Sequence, residues 1–560
     1  MATPRLLLDY VYDREASHPD LIYMSQPVGG GKVIDYTWGQ ALDQARRMAS
    51  HLQQSGVGPG VKVALLTKNC AHFIIAELAI WMAGGTTVAL FATESASTIR
   101  YVLEHSEAAL ILVGKLDTWD QQRDGVPATM RRIALPLAPP DAGDSWYDIM
   151  AHSTPLPGRP ARDADDTAIL VYTSGSTGQP KGVIHCFGNM TEAAVAIATA
   201  CTLTTEDRAL SYLPLAHVME RAYVECASFI AGGHLFFAES LDTFIADLQR
   251  ARPTVFLSVP RLWTKFQMGV FSKIPPERLD LLLRLPIVGK MVSRKILAGL
   301  GLDQARIAGC GSAPSPAGMI QWYRNLGLNM VEGYGMSEDF AMSHISLDAA
   351  NAPPGTLGRP LPGVLTRIAD DGELLIKSPG RFLGYYKLPQ LNAECFTEDG
   401  YFHTGDLGSY DSNGLLRLTG RKKELFKTAK GKYVAPVPIE CALCEHPMLE
   451  LAMVSGVGQA AAYALVELKD ELRDKMHDPA IRQTVEQALG RHLQDVNARL
   501  SDCEKLQMLV IADQPWSIEN GCLTPTMKIK RGNIEASAGP SVDGWYAAHS
   551  PIVWADTEAS

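Results

Sequence analysis

The chain lacks an uninterrupted apolar run long enough to cross a bilayer. Its most apolar region, about Phe73 to Leu90, is broken by Glu77 and by Gly84-Gly85, whereas a spanning helix needs about 20 consecutive apolar residues. Clustered cysteine is missing too. The 10 Cys are scattered, and the one close pair, Cys441 and Cys444, has no second pair at similar spacing to complete a zinc site. On a helix those two share a face and read as small core residues. Unpaired cysteine, without an N-terminal secretory pattern, predicts a reducing, cytoplasmic location. Positive charge is in short supply: the net charge is −10, which argues against nucleic acid as a partner. No internal repeat of fixed period is present.

A Walker loop is also missing, since that pattern needs Gly directly before its Lys and Ser or Thr directly after it. What the chain has instead is Tyr172-Thr173-Ser174-Gly175-Ser176-Thr177-Gly178-Gln179-Pro180-Lys181-Gly182. An apolar run, Ala168 to Val171, precedes it and predicts a buried strand. Beyond Gly182 comes Val183-Ile184-His185, then a helix predicted to begin near Asn189. Strand, polar loop and helix in that order present backbone N–H groups to phosphates. The glycines allow close approach and positive φ. Thr173, Ser174, Ser176 and Thr177 add hydroxyls, and Lys181 adds a positive charge. A plain Gly/Ser surface turn shares this composition, so the remaining motifs decide between the two.

At 560 residues, with 46% hydrophobic and 20% charged side chains, two or more soluble globular domains are expected. The pattern from Thr37 to Ser55 is helical, with Ala41, Ala45, Met48 and Leu52 on one stripe. Val61, Val63 and Leu65 alternate as a strand. Then follow a helix from about Ala71 to Ala83, a strand from Thr86 to Leu90, a helix near Thr98 to His105 and a strand from Ala109 to Val113. Such alternation predicts an α/β, doubly wound parallel layer. Residues 136–162 are rich in Pro, Gly, Ala and Asp and read as a surface connection.

Further along stand strings with chemical content. Gly309-Cys310-Gly311-Ser312-Ala313-Pro314 is a second Gly-rich turn after a strand predicted over Ala305 to Ala308. In Glu332-Gly333-Tyr334-Gly335-Met336-Ser337-Glu338 the glycines let the backbone pass close to a flat ligand on which Tyr334 can stack. Glu338 is a hard oxygen ligand suited to Mg²⁺. Asp370-Asp371-Gly372 and Asp411-Ser412-Asn413-Gly414 each mark a hairpin. Between them, Asp406 of Thr404-Gly405-Asp406 is a carboxylate suited to a ribose diol, each oxygen accepting a hydroxyl proton. The charge run Gly420-Arg421-Lys422-Lys423-Glu424 follows, and in isolation such a run reads as a solvated face.

In this order the motifs resemble the adenylate-forming superfamily, from about Thr37 to Arg531. Tyr212-Leu213-Pro214-Leu215-Ala216-His217 and Ser258-Val259-Pro260-Arg261-Leu262-Trp263 look like the long-chain acyl-CoA synthetases within it. The resemblance implies a large N-terminal domain over 1–420, of doubly wound sheets plus a β-barrel-like part. It implies a hinge at 421–423 and a small mobile α+β C-terminal domain over 424–560. It assigns ATP and AMP to Thr173, Ser174, Gly175, Ser176, Thr177, Gly178 and Lys181. Further nucleotide contacts fall on Gly311, Ser312, Ala313, Gly333, Tyr334, Gly335, Met336 and Ser337, with Asp406 and Arg421. Most members carry Thr where this chain has Ser337, and the hydroxyl is kept. Metal contacts go to Glu338 and Thr177, and His217 lies by the acyl and pantetheine sites. The hinge falls on Lys423 and the CoA-side loop on Gly431, Lys432 and Tyr433. Lys528, in Leu523-Thr524-Pro525-Thr526-Met527-Lys528-Ile529-Lys530-Arg531, is implied as the adenylation lysine, with Lys530 its rival.

The implied activity is that of an acid–thiol ligase: a carboxylic acid, medium- to long-chain fatty, passes to acyl-AMP and then to acyl-CoA, with ATP, Mg²⁺ and CoA. An acyl-AMP ligase serving another acceptor, a nonribosomal adenylation module and a catalytically silent nucleotide-binding protein share parts of the pattern. The segment 273–302 gathers Lys273, Arg278, Arg284, Lys290, Arg294 and Lys295 among many apolar residues. It reads either as a peripheral contact with an anionic membrane or as a helical pair packed on the core, Pro286 and Gly289 breaking any single long helix.

Overall fold

The computed structural model describes residues 4–173, 179–524 and 527–555. An eight-stranded sheet runs in the order Gly384–Tyr385, Lys181–Cys186, Thr167–Thr173, Thr86–Leu90, Lys62–Leu66, Ala108–Val113, Arg131–Ala134, Asp144–Ser145. From Thr167–Thr173 outward to Asp144–Ser145 every pairing is parallel, as the helix–strand alternation predicts. The helix Ala71–Met82 is buried at every residue. It touches Thr86–Leu90 and also Ile22–Pro27 of a second, four-stranded sheet. The most apolar stretch of the sequence is therefore a core helix, and no described helix is long and apolar enough to cross a membrane.

A third sheet lays Val255–Ser258, Ile307–Cys310 and Met330–Tyr334 side by side in parallel. A fourth is antiparallel, ordered Leu365–Ile368, Glu373–Lys377, Phe402–Tyr410, Leu416–Arg421. Both predicted hairpins occur in it. Beyond Arg421 the chain builds a separate core around Leu449–Ser455, Ala462–Leu468, Leu506–Ile511 and Ile552–Trp554. The helix Pro479–Asn497 covers one face of that sheet and the helices Arg531–Ala538 and Val542–Ala547 the other.

Three local expectations need completion or correction. The stretch between the phosphate loop and the helix, to which the sequence pattern assigns no element, is a strand. Val183-Ile184-His185 belongs to the strand Lys181–Cys186, antiparallel to Thr167–Thr173, because its alternating side chains suit a strand with one buried face. The helix then starts at Phe187. Residues 136–162 are not all loop: Trp146–His152 is a helix whose Ser145 hydroxyl accepts from the Asp148 N–H at 3.4 Å, with Trp146 and Ile149 buried. The strand expected over Ala305 to Ala308 lies at Ile307–Cys310.

Candidate active site

The strands Val255–Ser258, Ile307–Cys310 and Met330–Tyr334 end on one side of their sheet, where open α/β sheets place ligands. Gly311 and Gly333 back each other there: a Cβ on Gly311 would lie 3.4 Å from the Gly333 carbonyl oxygen. At Gly335 a Cβ would stand 2.7 Å from Ala341 Cα, so only glycine fits. Ser312 holds a left-handed backbone, φ 67°, and its hydroxyl donates to Met219 Sδ at 3.1 Å. Ala313 beside it is exposed. That contact ties the second Gly-rich turn to the His217 segment.

Asp406 is buried on Phe402–Tyr410, directly across from Arg421. The Tyr334 hydroxyl donates to its Oδ2 at 2.5 Å and Arg421 Nε to its Oδ1 at 2.8 Å. Burial and then the Asp406 charge raise the Tyr334 phenol well above its ordinary pKa, so it stays a donor. Tyr334, Asp406 and Arg421 come from three strands and form one polar corner.

Phosphate-side residues meet a short distance along the chain. Thr173 and Lys181 are paired across the two strands, so both ends of the loop are held opposite each other. Ser174, Gly175, Ser176, Thr177 and Gly178 lie outside the described residues. The Tyr101 hydroxyl donates to the Pro180 carbonyl at 3.2 Å. Glu338 sits on the short turn Ser337–Asp339 that follows Met336. Its Oε1 accepts from the Tyr385 hydroxyl at 2.8 Å, and Lys181 Nζ is 5.6 Å from the centre of the Tyr385 ring. Tyr385 thus stands between the loop lysine and the carboxylate. His185 Nε2 donates to the Ser337 carbonyl at 2.7 Å, fastening this turn to the loop's second strand. Burial lowers His185 to about 4, which keeps the ring neutral.

Neither Tyr385 nor His185 stands out in the sequence. Tyr385 offers one weak signal, its place after Gly384, whose φ is 148° and whose Cβ would meet Asn392 at 2.9 Å. A divalent cation fits Glu338, because Glu338 Oε2 has no donor among the described residues. No group of three or more His, Cys, Asp or Glu converges among the described residues. A cation here would complete its shell with phosphate oxygens and water, which is how Mg²⁺ is commonly held.

Lys528 reaches this cleft from the C-terminal part of the chain. Its backbone N–H donates to the Thr524 hydroxyl at 3.0 Å, and Met527 turns with φ 61°. Arg531, three residues on, is anchored to Glu440 at 2.7 Å and to the Val454 carbonyl at 2.8 Å. Lys528 has dense protein around it yet keeps solvent contact, as a side chain in a wet cleft does. Burial and the nearby Arg421 guanidinium lower its pKa, against the pull of Asp406 and Glu424. Lys530 lies near Glu94, whose carboxyl burial pushes up to about 7.

His217 caps the turn Val218–Glu220, its Nδ1 accepting from the Met219 N–H at 3.2 Å. Burial and then the Lys528 charge hold it down to about 4, so it is neutral with Nε2 protonated. Lys422 is bound to Asp371 at 2.5 Å and Glu373 at 3.2 Å, whereas Lys423 is exposed. Gly431, with φ 75°, turns an exposed hairpin between Phe426–Lys427 and Tyr433–Val434 that carries Lys432 and Tyr433 outward.

A parallel-sheet cleft with a Tyr-Asp-Arg corner, a carboxylate beside a loop lysine, and a lysine brought from a second core define an enzyme that activates its substrate with a nucleotide. Residues 12–386 match the AMP-binding enzyme model and residues 424–550 the AMP-binding enzyme C-terminal domain. The chain belongs to the AMP-binding enzyme family. Among its relatives is the long-chain-fatty-acid–CoA ligase FadD15 of Mycobacterium bovis, 32% identical over 96% of each chain. Another is fatty acyl-CoA synthetase A of Dictyostelium discoideum, 28% identical over 97% of this chain and 91% of that one. Among solved structures, the adenylation domain of a carboxylate reductase from Mycobacterium chelonae superposes with a TM-score of 0.82 at 22% identity, over 97% and 91% of the two chains. An anthranilate CoA ligase in complex with anthranoyl-AMP gives 0.78 at 18%, over 97% and 99%. These structural likenesses are of fold.

Proposed function

We propose that the protein is an acid–thiol ligase that uses ATP to convert a medium- to long-chain fatty acid to acyl-AMP, and then to acyl-CoA. The observation that carries this reading is the meeting of Lys528 with the Asp406–Arg421 corner in one cleft. The relatives named as fatty-acid–CoA ligases over nearly the full length of the chain support the substrate class.

In the first half-reaction a carboxylate oxygen attacks the α-phosphorus of ATP, and the bond to pyrophosphate breaks. Two anions must meet, so charge neutralisation and alignment are the task. Tyr334 offers its face to the adenine, flanked by the Gly311–Ala313 and Gly333–Ser337 backbone. Asp406 accepts from the ribose hydroxyls, displacing the Tyr334 and Arg421 donors that hold it here. Lys181 and the loop Thr173–Gly178 attend the leaving phosphates, and Lys528 attends the acyl–phosphate junction. Glu338, with Thr177 from the loop, would hold Mg²⁺, which when bound neutralises phosphate charge.

In the second half-reaction the CoA thiolate attacks the acyl carbon and AMP leaves. His217, neutral and beside Lys528, lines the acyl side. The large domain is assigned to 1–420, the hinge to 421–423 with Lys423 as the pivot residue, and the small domain to 424–560. Rotation there withdraws Lys528 and brings the Gly431–Tyr433 hairpin to the thiol side. A fatty acid that dissolves poorly in water is collected at a membrane surface, with segment 273–302 as the contact.

The test is pyrophosphate release across a panel of carboxylic acids, with and without CoA. Release that peaks for acids of medium to long chain, with acyl-CoA formed, is expected. Release without any CoA consumption would replace the ligase reading with that of an acyl-AMP ligase, and no release with any acid would end it.

A further inference from the structure

We propose that the outer face of the helical hairpin Pro276–Leu283 and Pro286–Gly299 is a docking surface for an anionic phospholipid membrane. In this pair of helices only Leu279 and Gly289 are buried. Gly289 makes the corner tight: a Cβ there would lie 2.5 Å from the Leu283 carbonyl oxygen. The apolar side chains around that corner point to solvent. Ile287 is 78% exposed, Met291 68% and Leu281 65%, with Leu285 and Val288 also exposed. A pair of helices packed simply on the core would bury these residues, and a soluble surface rarely gathers so many in one place.

Arg284, Lys290, Arg294 and Lys295 stand among them, all exposed. None of the four makes an ion pair or a side-chain hydrogen bond among the described residues, although the chain as a whole is acidic, at −10. Apolar tips ringed by unpaired cations are complementary to a bilayer interface, where the tips enter the acyl boundary and the cations meet lipid phosphates. Each such cation near an anionic surface multiplies binding by about fivefold.

The inner side of the hairpin leads towards the cleft. Leu279 belongs to the same apolar cluster as Trp263, Ala308 and Cys310, and Cys310 directly precedes Gly311-Ser312. The docking surface stands on its own geometry, and only its use in substrate delivery rests on the fatty-acid reading.

The experiment is co-sedimentation of the full chain, without ATP, with vesicles of phosphatidylcholine alone and of phosphatidylcholine mixed with phosphatidylglycerol. Expected is binding to the mixed vesicles that weakens as salt rises. Replacing Arg284, Lys290, Arg294 and Lys295 together by Gln should cut it by at least about tenfold. Ile287→Asp with Met291→Asp should do the same by a separate route. Both variants should melt like the parent and turn over a short, water-soluble acid as before. Absent binding, equal salt-insensitive binding to both vesicle types, or undiminished binding by the variants overturns the proposal. So does a dimer in light scattering that Ile287→Asp converts to monomer, since the face is then covered by a second copy. Loss of vesicle binding leaves the ligase assay untouched, so the two readings fail separately.

Discussion

At the scale of single residues, the least legible contributor is Tyr385. Its partner Glu338 is 47 residues away, and the His185–Ser337 contact spans 152. No local pattern encodes contacts of that separation, whereas Asp406, Tyr334 and Glu338 sit in short strings whose residue types already suggest a nucleotide. Tyr385→Phe removes one donor from Glu338 and keeps the ring under Lys181. The expected outcome is a several-fold rise in the Mg²⁺ concentration for half-maximal adenylation, with an unchanged melting temperature. An unchanged Mg²⁺ dependence would leave Tyr385 a packing residue. Lys181→Ala, which deletes the charge proposed to meet the phosphates, should slow adenylation by on the order of 10²-fold, corresponding to about 3 kcal/mol; stopped-flow pyrophosphate release reads it directly. The pH dependence follows from Lys528. Its pKa is lowered in the fold, and in the proposed role it acts only while protonated. Adenylation is therefore full below that lowered pKa and falls as pH rises through it, with the alkaline limb below the usual lysine range near 10.4. Lys528→Arg should move the limb upward, since guanidinium stays charged; a limb that stays in place belongs to another group.

Among the elements, the ones readable from sequence were those with a clean period. Thr37 caps Trp38–Gln54 and accepts from the Gln40 N–H at 3.2 Å, so the start read from the apolar stripe coincides with a cap. The loop's second strand was harder, because three alternating residues beside a glycine-rich turn carry no length signal that separates strand from helix entry. The element least expected is the wide π-helical turn Arg221–Cys226, held by a fully buried Arg221 whose Nη1 contacts both Glu77 oxygens at 2.7 and 2.6 Å. Glu225 lies 3.6 Å from the same nitrogen, and burial followed by the Glu77 charge raises its carboxyl pKa. Arg221→Met leaves Glu77 buried with no counter-charge, which costs about 3–5 kcal/mol. Urea titration should show that loss, and adding Glu77→Leu should restore much of it, because two apolar residues then replace the ion pair. If the double variant is as unstable as the single one, the pair holds the turn in place by more than charge balance.

For the whole molecule, the arrangement of the two cores selects one half of the proposed reaction. Arg261 of the large part reaches Glu450 of the small part at 2.6 Å, and Lys528 shares the cleft with His217, Asp406 and Arg421, while the Gly431–Tyr433 hairpin faces solvent. This is the placement that the proposed adenylation step needs. The thioester step needs Lys528 gone and the thiol side open, because a lysine that stabilises charge during pyrophosphate departure has no work once acyl-AMP exists. The two steps are therefore separable by mutation. Lys528→Ala should abolish acyl-AMP formation from acid and ATP, yet leave transfer from supplied acyl-AMP to CoA close to the parent rate. Lys423→Pro should do the converse, since proline fixes φ near −65° and restricts the exposed Lys423 of the proposed hinge, whose side chain has no partner among the described residues. Measured side by side, the two variants should fail opposite assays and complement each other's half when acyl-AMP is passed between them. If Lys528→Ala damages both halves equally, the lysine is part of the scaffold. If Lys423→Pro leaves CoA transfer intact, the rotation axis lies elsewhere in the chain.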